Sequence, residues 1–172
     1  MSRSILIAGI SLGVVLAAMV VEAAISSRHE RALRARGAVE PQNDVYRLMR
    51  MAYPLSFVAM TVEGGLFGVA EAIGWSAGGA LFLAAKALKY WAMASLGVRW
   101  TFRVLVPADL PLVDHGPYRW VAHPNYLAVI GELCGTALMM AAPFTGIAAI
   151  AGFGALIAQR IAIENRALGR LP

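Results

Sequence analysis

Residues 5–25 read ILIAGISLGVVLAAMVVEAAI, 21 residues in which Glu22 is the single ionisable side chain. A helix crossing the hydrocarbon core of a bilayer takes about 20 apolar residues, so this stretch predicts a membrane span. It is longer than the apolar core of a secretory leader, which runs roughly 7–15 residues. Only Arg3 precedes it, whereas Arg28, Arg31, Arg34 and Arg36 follow. A retained helix is therefore expected rather than a cleaved leader.

Outward from that segment the chain keeps the same character. Of its 172 residues, 59% are hydrophobic and 15% charged, with a mean hydropathy of +0.66. A soluble domain carries roughly 25% charged residues. Four more segments have spanning length, at about 48–69, 73–96, 126–142 and 144–163, and Pro143 marks a tight hairpin between the last two. The expected fold is an all-α integral membrane protein, one domain over 1–172 with five transmembrane helices.

Arginines gather after the first segment, including Arg47 and Arg50, after the third (Arg99, Arg103, Arg119) and at the tail (Arg160, Arg166, Arg170). The connection between the second and third segments has Glu63 and Glu71 and no basic residue. Cytoplasmic loops are the basic ones, which predicts an N-terminus outside and a C-terminus in the cytoplasm. The same loops account for the net charge of +5, so membrane lipids rather than nucleic acid are the expected surroundings. The lone Cys134 has no internal disulfide partner and reads as a small hydrophobe. Oligomeric state is not legible.

Gly9/Gly13, Gly64/Gly68, Gly74/Gly78 and Gly131/Gly135 have the spacing that lets membrane helices approach closely, and are expected to be packing seams. Lys86 and Lys89 are expected to snorkel toward headgroups from the third segment. Glu132, two turns into the fourth segment, must face the bundle interior, toward Lys86 or Lys89 or toward a ligand.

The polar residues concentrate at residues 114–133, DHGPYRWVAHPNYLAVIGEL. Gly116-Pro117 forces a turn and Pro124 opens a helix. Tyr118, Trp120 and Tyr126 offer flat faces suited to an adenine ring or a sulfonium cation. They equally suit interfacial anchoring. His115, His123 and Asn125 add hydrogen-bonding groups beside a helix N-terminus that favours an anion. Farther on, Arg160 and Glu164 are one turn apart, placed to pair with each other or to grip a ligand. No metal-ligand spacing, G-x-S-x-G elbow, phosphate loop or dinucleotide fingerprint is present.

Residues 115–133, HGPYRWVAHPNYLAVIGEL, followed by RIAIENRAL at 160–168, resemble the C-terminal signature of the isoprenylcysteine carboxyl methyltransferase family. The matching residues are Gly116, Pro117 and Tyr118, then His123, Pro124 and Tyr126, then Arg160, Glu164 and Leu168. The motif region spans 112–168. Ala122 stands where the family has arginine, with Arg119 nearest to it, and Asn165 stands where the family has a second glutamate.

The resemblance implies an integral-membrane O-methyltransferase using S-adenosyl-L-methionine, its active site facing the cytoplasm from a bacterial inner membrane. It implies a cofactor site lined by His115, Gly116, Pro117, Tyr118, His123, Pro124, Asn125 and Tyr126. Arg160 and Glu164 would orient the acceptor or the cofactor's amino-acid end. The short first half resembles compact bacterial members acting on alkylpyrone or alkylresorcinol lipids, which makes a hydroxylated polyketide lipid the expected acceptor. The alternative acceptor is a prenylcysteine carboxylate. Ala122 and Asn165 also define an alternative of another class, a non-enzymatic membrane scaffold or lipid-binding protein.

Overall fold

The computed structural model describes residues 3–41, 44–106, 113–167 and 169. Leu168 and Arg170 lie outside the described residues. Five α-helices are present among them: α1 (Arg3–Ala35), α2 (Tyr46–Phe67), α3 (Ala72–Leu96), α4 (Pro124–Met139) and α5 (Pro143–Ala167). Three stretches are long and apolar enough to cross a membrane, Ile5–Ala35, Ala72–Arg99 and Pro143–Ala167. The protein is an all-α membrane protein.

The helix bounds differ from the apolar segments for readable reasons. α1 continues ten residues past Ile25 through Arg28, Arg31 and Arg34, because Glu, Arg, Ala and Leu are good helix formers even where hydropathy has ended. Its 33 residues reach about 50 Å at 1.5 Å per residue, well past a core of about 30 Å. The arginine-rich stretch expected as a loop is therefore mostly a projecting helix end. α4 is the opposite case: its 16 residues extend only about 24 Å. It is largely enclosed by its neighbours, with Ala128, Val129, Leu133, Gly135 and Thr136 buried.

The α4–α5 hairpin forms where Pro143 predicts it. Ala141 takes a left-handed conformation (φ 46°) in the turn, and α5 begins at Pro143. Glu63 of α2 accepts hydrogen bonds from the Phe144 and Thr145 amides, at 3.2 and 2.8 Å, and from the Thr145 hydroxyl. An acidic group at a helix N-terminus satisfies amides that have no helical partner, and here it ties α2 to α5.

α3 packs most extensively against α4, and glycine makes that possible. A Cβ on Gly135 would lie 2.7 Å from the Phe82 amide nitrogen and 2.8 Å from the Gly78 carbonyl oxygen. A Cβ on Gly131 would lie 2.9 Å from that of Ala85. Gly64 likewise meets Met140. Gly9, Gly13 and Gly68 have nothing within 4 Å, and Gly74 meets only Ala70, four residues back in the same chain. The seams formed among the described residues are therefore Gly131/Gly135 with Gly78, plus Gly64, and the other positions meet no neighbouring helix there. Gly135→Val is expected to destabilise the bundle by about 1–3 kcal/mol or more through overpacking, read as a lower Tm in detergent. Gly13→Ala is the control with little change.

The bundle's centre holds a closed set of charges. Lys86 Nζ lies 2.6 Å from Glu22 Oε1 and 2.9 Å from Glu132 Oε2. Lys89 Nζ lies 2.9 Å from Glu22 Oε2 and 2.9 Å from Glu132 Oε1. The Tyr53 hydroxyl donates to Glu132 Oε2 at 2.7 Å. All four charged residues are buried, Glu132 completely. The lysines do not snorkel. Two carboxylates facing them across the bundle make the inward rotamers the better ones, and the set is electrically neutral. Glu132 thus meets both lysines, and Glu22, a solitary interruption in the sequence, is its counterpart on α1.

Candidate functional site

The ends of α1, α3 and α5 and the starts of α2 and α4 meet at one end of the bundle, where the polar motif lies. Two short segments pack onto these ends. Residues 97–106 leave α3 through a single 3-10 turn, Gly97–Arg99. They are strapped to α1 by the Phe102 amide, which donates to Ser26 Oγ at 2.8 Å, and by His29 Nδ1, which donates to the Trp100 carbonyl at 2.8 Å. Val106 forms an isolated antiparallel bridge with Val39. Arg103 lies over the Tyr46 ring at 4.6 Å and pairs with Glu40 at 2.6 Å and Glu30 at 3.5 Å. Partial burial works against the Glu40 carboxylate, but hydrogen bonds and charge from Arg103 and Arg34 outweigh it and hold the group below the usual carboxylate range.

Residues Gly116–Arg119 form a second 3-10 turn against the end of α3. Gly116 has φ +61°, and a Cβ there would lie 2.1 Å from Ser95 Oγ. Both the backbone conformation and the close approach demand glycine. Pro117 is buried. Trp120 is 69% exposed and leans on Trp91, the ring centroids 5.7 Å apart, as an outward-facing pair. Tyr118 is half-buried. Burial, reinforced by the Glu164 charge, pushes its phenol well above the usual tyrosine range, so it stays a neutral hydroxyl. The aromatics thus divide: Trp120 faces outward, while Tyr118 and Tyr126 face inward.

Tyr126, on the first turn of α4, is the centre of the cluster. Its hydroxyl donates to Glu164 Oε2 at 2.8 Å and accepts from Arg160 Nε at 3.2 Å. Glu164 Oε2 is also 3.7 Å from His123 Nδ1. The other ring nitrogen, Nε2, donates to Asn165 Oδ1 at 3.1 Å, which turns Nδ1 toward Glu164. His123 and Tyr126 rings stack at 5.6 Å. His123 caps the start of α4 and Pro124 occupies its first position, so chain direction at that turn aims both rings at α5.

Arg160 and Glu164 do not pair with each other; they meet instead on the Tyr126 hydroxyl. Arg160 is 4% exposed and its nitrogens are engaged. Nη1 donates to both Asp44 carboxylate oxygens, at 2.7 and 2.9 Å, and Nη2 donates to the Phe102 carbonyl. Asn125 accepts from Trp100 Nε1 at 3.2 Å. His115 is exposed, with Asp114 as its near neighbour, and among the described residues no hydrogen bond ties it to the cluster. Ala122 is exposed. Asp44, Trp100 and Phe102 went unnoticed in the sequence, where no spacing links a residue of the α1–α2 connector to one 116 positions away.

The fold is thus a helical membrane bundle that gathers a partly exposed carboxylate, an imidazole and inward tyrosines at one end. The chain belongs to the isoprenylcysteine carboxyl methyltransferase (ICMT) family, whose model matches residues 79–170, and it is accordingly a membrane methyltransferase. It is 31% identical over 147 residues to the uncharacterised protein YpbQ of Bacillus subtilis, covering 86% of this chain and 88% of that one. It is 26% identical over 163 residues to an uncharacterised Haemophilus influenzae protein, covering 94% and 95%. No solved structure matches it.

Proposed function

We propose that the protein is an S-adenosyl-L-methionine-dependent O-methyltransferase of a lipophilic hydroxylated acceptor, of the alkylpyrone or alkylresorcinol kind. The observation that carries this reading is the convergence of His123, Tyr126 and Glu164 on one point, 2.8 to 3.7 Å apart, at the helix ends of a family methyltransferase. The methyl donor is a cation with an aromatic base. A half-exposed carboxylate, Glu164, and the rings of Tyr118, Tyr126 and His123 have the complementary chemistry. Bound there, it would supply an electrophilic methyl group.

The protein's own task is alignment and proton removal. A phenolic acceptor, with a pKa of about 10 by analogy with tyrosine, must lose its proton as the oxygen takes the methyl. His123 Nδ1 and Glu164 Oε2, 3.7 Å from each other, are the groups that receive it. Tyr126 holds Glu164 in place. Asn165, bonded to Nε2, orients the ring so that Nδ1 faces Glu164.

Basic residues set the orientation. Arg28, Arg31, Arg34, Arg47, Arg99, Arg103, Arg119, Arg160 and Arg166 belong to the site end of the bundle, and Glu63 and Glu71 to the opposite one. On the positive-inside rule the site faces the cytoplasm from a bacterial inner membrane. α2 and α4 complete five crossings inside the bundle, with the N-terminus outside.

Full-length protein in detergent should bind S-adenosylhomocysteine saturably and transfer label from S-adenosylmethionine to a long-chain alkylresorcinol. Label appearing instead on an S-prenylcysteine would shift the acceptor to the carboxylate class. Absence of cofactor binding would favour a scaffold and overturn the enzymatic reading.

A further inference from the structure

We propose that Asp44 is a positioning residue that sets the charge class of the acceptor, by neutralising Arg160 inside the site. This rests on the methyltransferase reading above. Arg160 is the cation nearest to Tyr126 and Glu164, since its Nε donates to the Tyr126 hydroxyl at 3.2 Å. An arginine at that place suits a carboxylate acceptor. Here the guanidinium is already satisfied. Asp44 takes Nη1 through both oxygens at 2.7 and 2.9 Å, and the Phe102 carbonyl takes Nη2. The side chains of Arg160 and Asp44 are only 4% and 5% exposed, so water does little to screen the pair.

Asp44 is itself held firmly. Its Oδ1 also accepts from the Tyr46 amide at 3.2 Å, at the first residue of α2, so the carboxylate cannot swing away without freeing a helix-terminal amide. Among the described residues, other charged groups at this end are engaged elsewhere or exposed. Arg103 and Arg34 are balanced by Glu40 and Glu30, and Arg119 and Arg166 are exposed. With Arg160 paired to Asp44, Glu164 is the carboxylate left beside Tyr126 among the described residues. Among the described residues, a carboxylate head group beside Tyr126 would approach Glu164 and find the buried Arg160 guanidinium already paired. A neutral hydroxyl meets a base, and a cationic methyl donor meets a negative site. The selection comes from a residue on the α1–α2 connector that has no need to touch the acceptor.

The test compares two acceptors in detergent-solubilised full-length protein, a long-chain alkylresorcinol and an N-acetyl-S-prenylcysteine. In Asp44→Asn the amide keeps the shape and releases the Arg160 charge. The ratio of carboxylate to hydroxyl methylation should rise by about tenfold or more, the scale on which breaking a charge pair changes recognition. Asp44→Glu should keep the wild-type ratio. Adding Arg160→Gln to Asp44→Asn should remove the gain, since no guanidinium remains to attract the anion. A structural clasp alone would lower both activities together and leave the ratio unchanged, which overturns the proposal.

A measurement on the wild type guards against a variant that does not fold. A long-chain carboxylate should inhibit resorcinol methylation about tenfold less well than the alcohol of equal chain length, by the same electrostatic argument. Equal inhibition overturns the role of Asp44 while leaving the enzyme reading intact. A wild type that binds no S-adenosylhomocysteine sinks both.

Discussion

Glu132→Gln is expected to destabilise the bundle severely, by about 3–5 kcal/mol, the usual cost of stripping one partner from a buried ion pair. Glu132 is fully buried, and Lys86 and Lys89 both lie 2.9 Å from it. After the change two buried ammonium groups share Glu22 alone. Two like charges in a low-dielectric interior with one counter-charge between them repel each other and cost several kcal/mol. The expected result is a large fall in Tm in detergent, together with weaker association of α1 with α3. Lys86→Met introduced beside Glu132→Gln should recover part of the loss, because one acid then faces one base. An unchanged Tm in the single variant would mean that the four charges are not held together in the bundle.

Replacing Glu164 with glutamine should do the reverse, leaving the fold alone and removing the activity. The side chain is partly exposed, at 28%, and glutamine can still accept the Tyr126 hydroxyl proton. What disappears is the charge next to His123 and the capacity to take a proton. For a hydroxylated acceptor the loss in kcat should be about 10²–10⁴-fold, the contribution typical of a positioned general base. An ionised carboxylate acceptor is already a nucleophile and would be methylated with little loss. Equal turnover of the alkylresorcinol by wild type and Glu164→Gln, at matched cofactor binding, would falsify the assignment of Glu164 to proton removal.

How much of the molecule was legible depended on whether the signal was local. Apolar length located all five helices, and Pro143 located the hairpin, because desolvation of side chains and the missing proline N–H act within a few residues. Hydropathy ended α1 at residue 25 but the helix runs to Ala35, since backbone propensity does not stop where lipid does. The GPY turn was readable for the same local reason: Gly116 needs its positive φ.

Glu132 facing Lys86 or Lys89 was readable as one of two alternatives, and the other pairings were not readable. Arg160 and Glu164 have a spacing that fits an ion pair, yet Tyr126 on α4 and Asp44 on the α1–α2 connector engage them instead. The glycine pair on α1 has the same spacing as the one on α4, but only the latter faces a neighbour.

Sequence alone determined that this is a helical membrane protein, that polar residues gather at the start of α4 and the end of α5, and which family signature those residues carry. Tertiary structure decided which charges cancel. Glu22 meets Lys86 across 64 residues and Asp44 meets Arg160 across 116. In a low-dielectric interior each charge is governed by whichever opposite charge comes within a few ångströms, and that is a property of how helices pack, not of how residues are spaced along the chain.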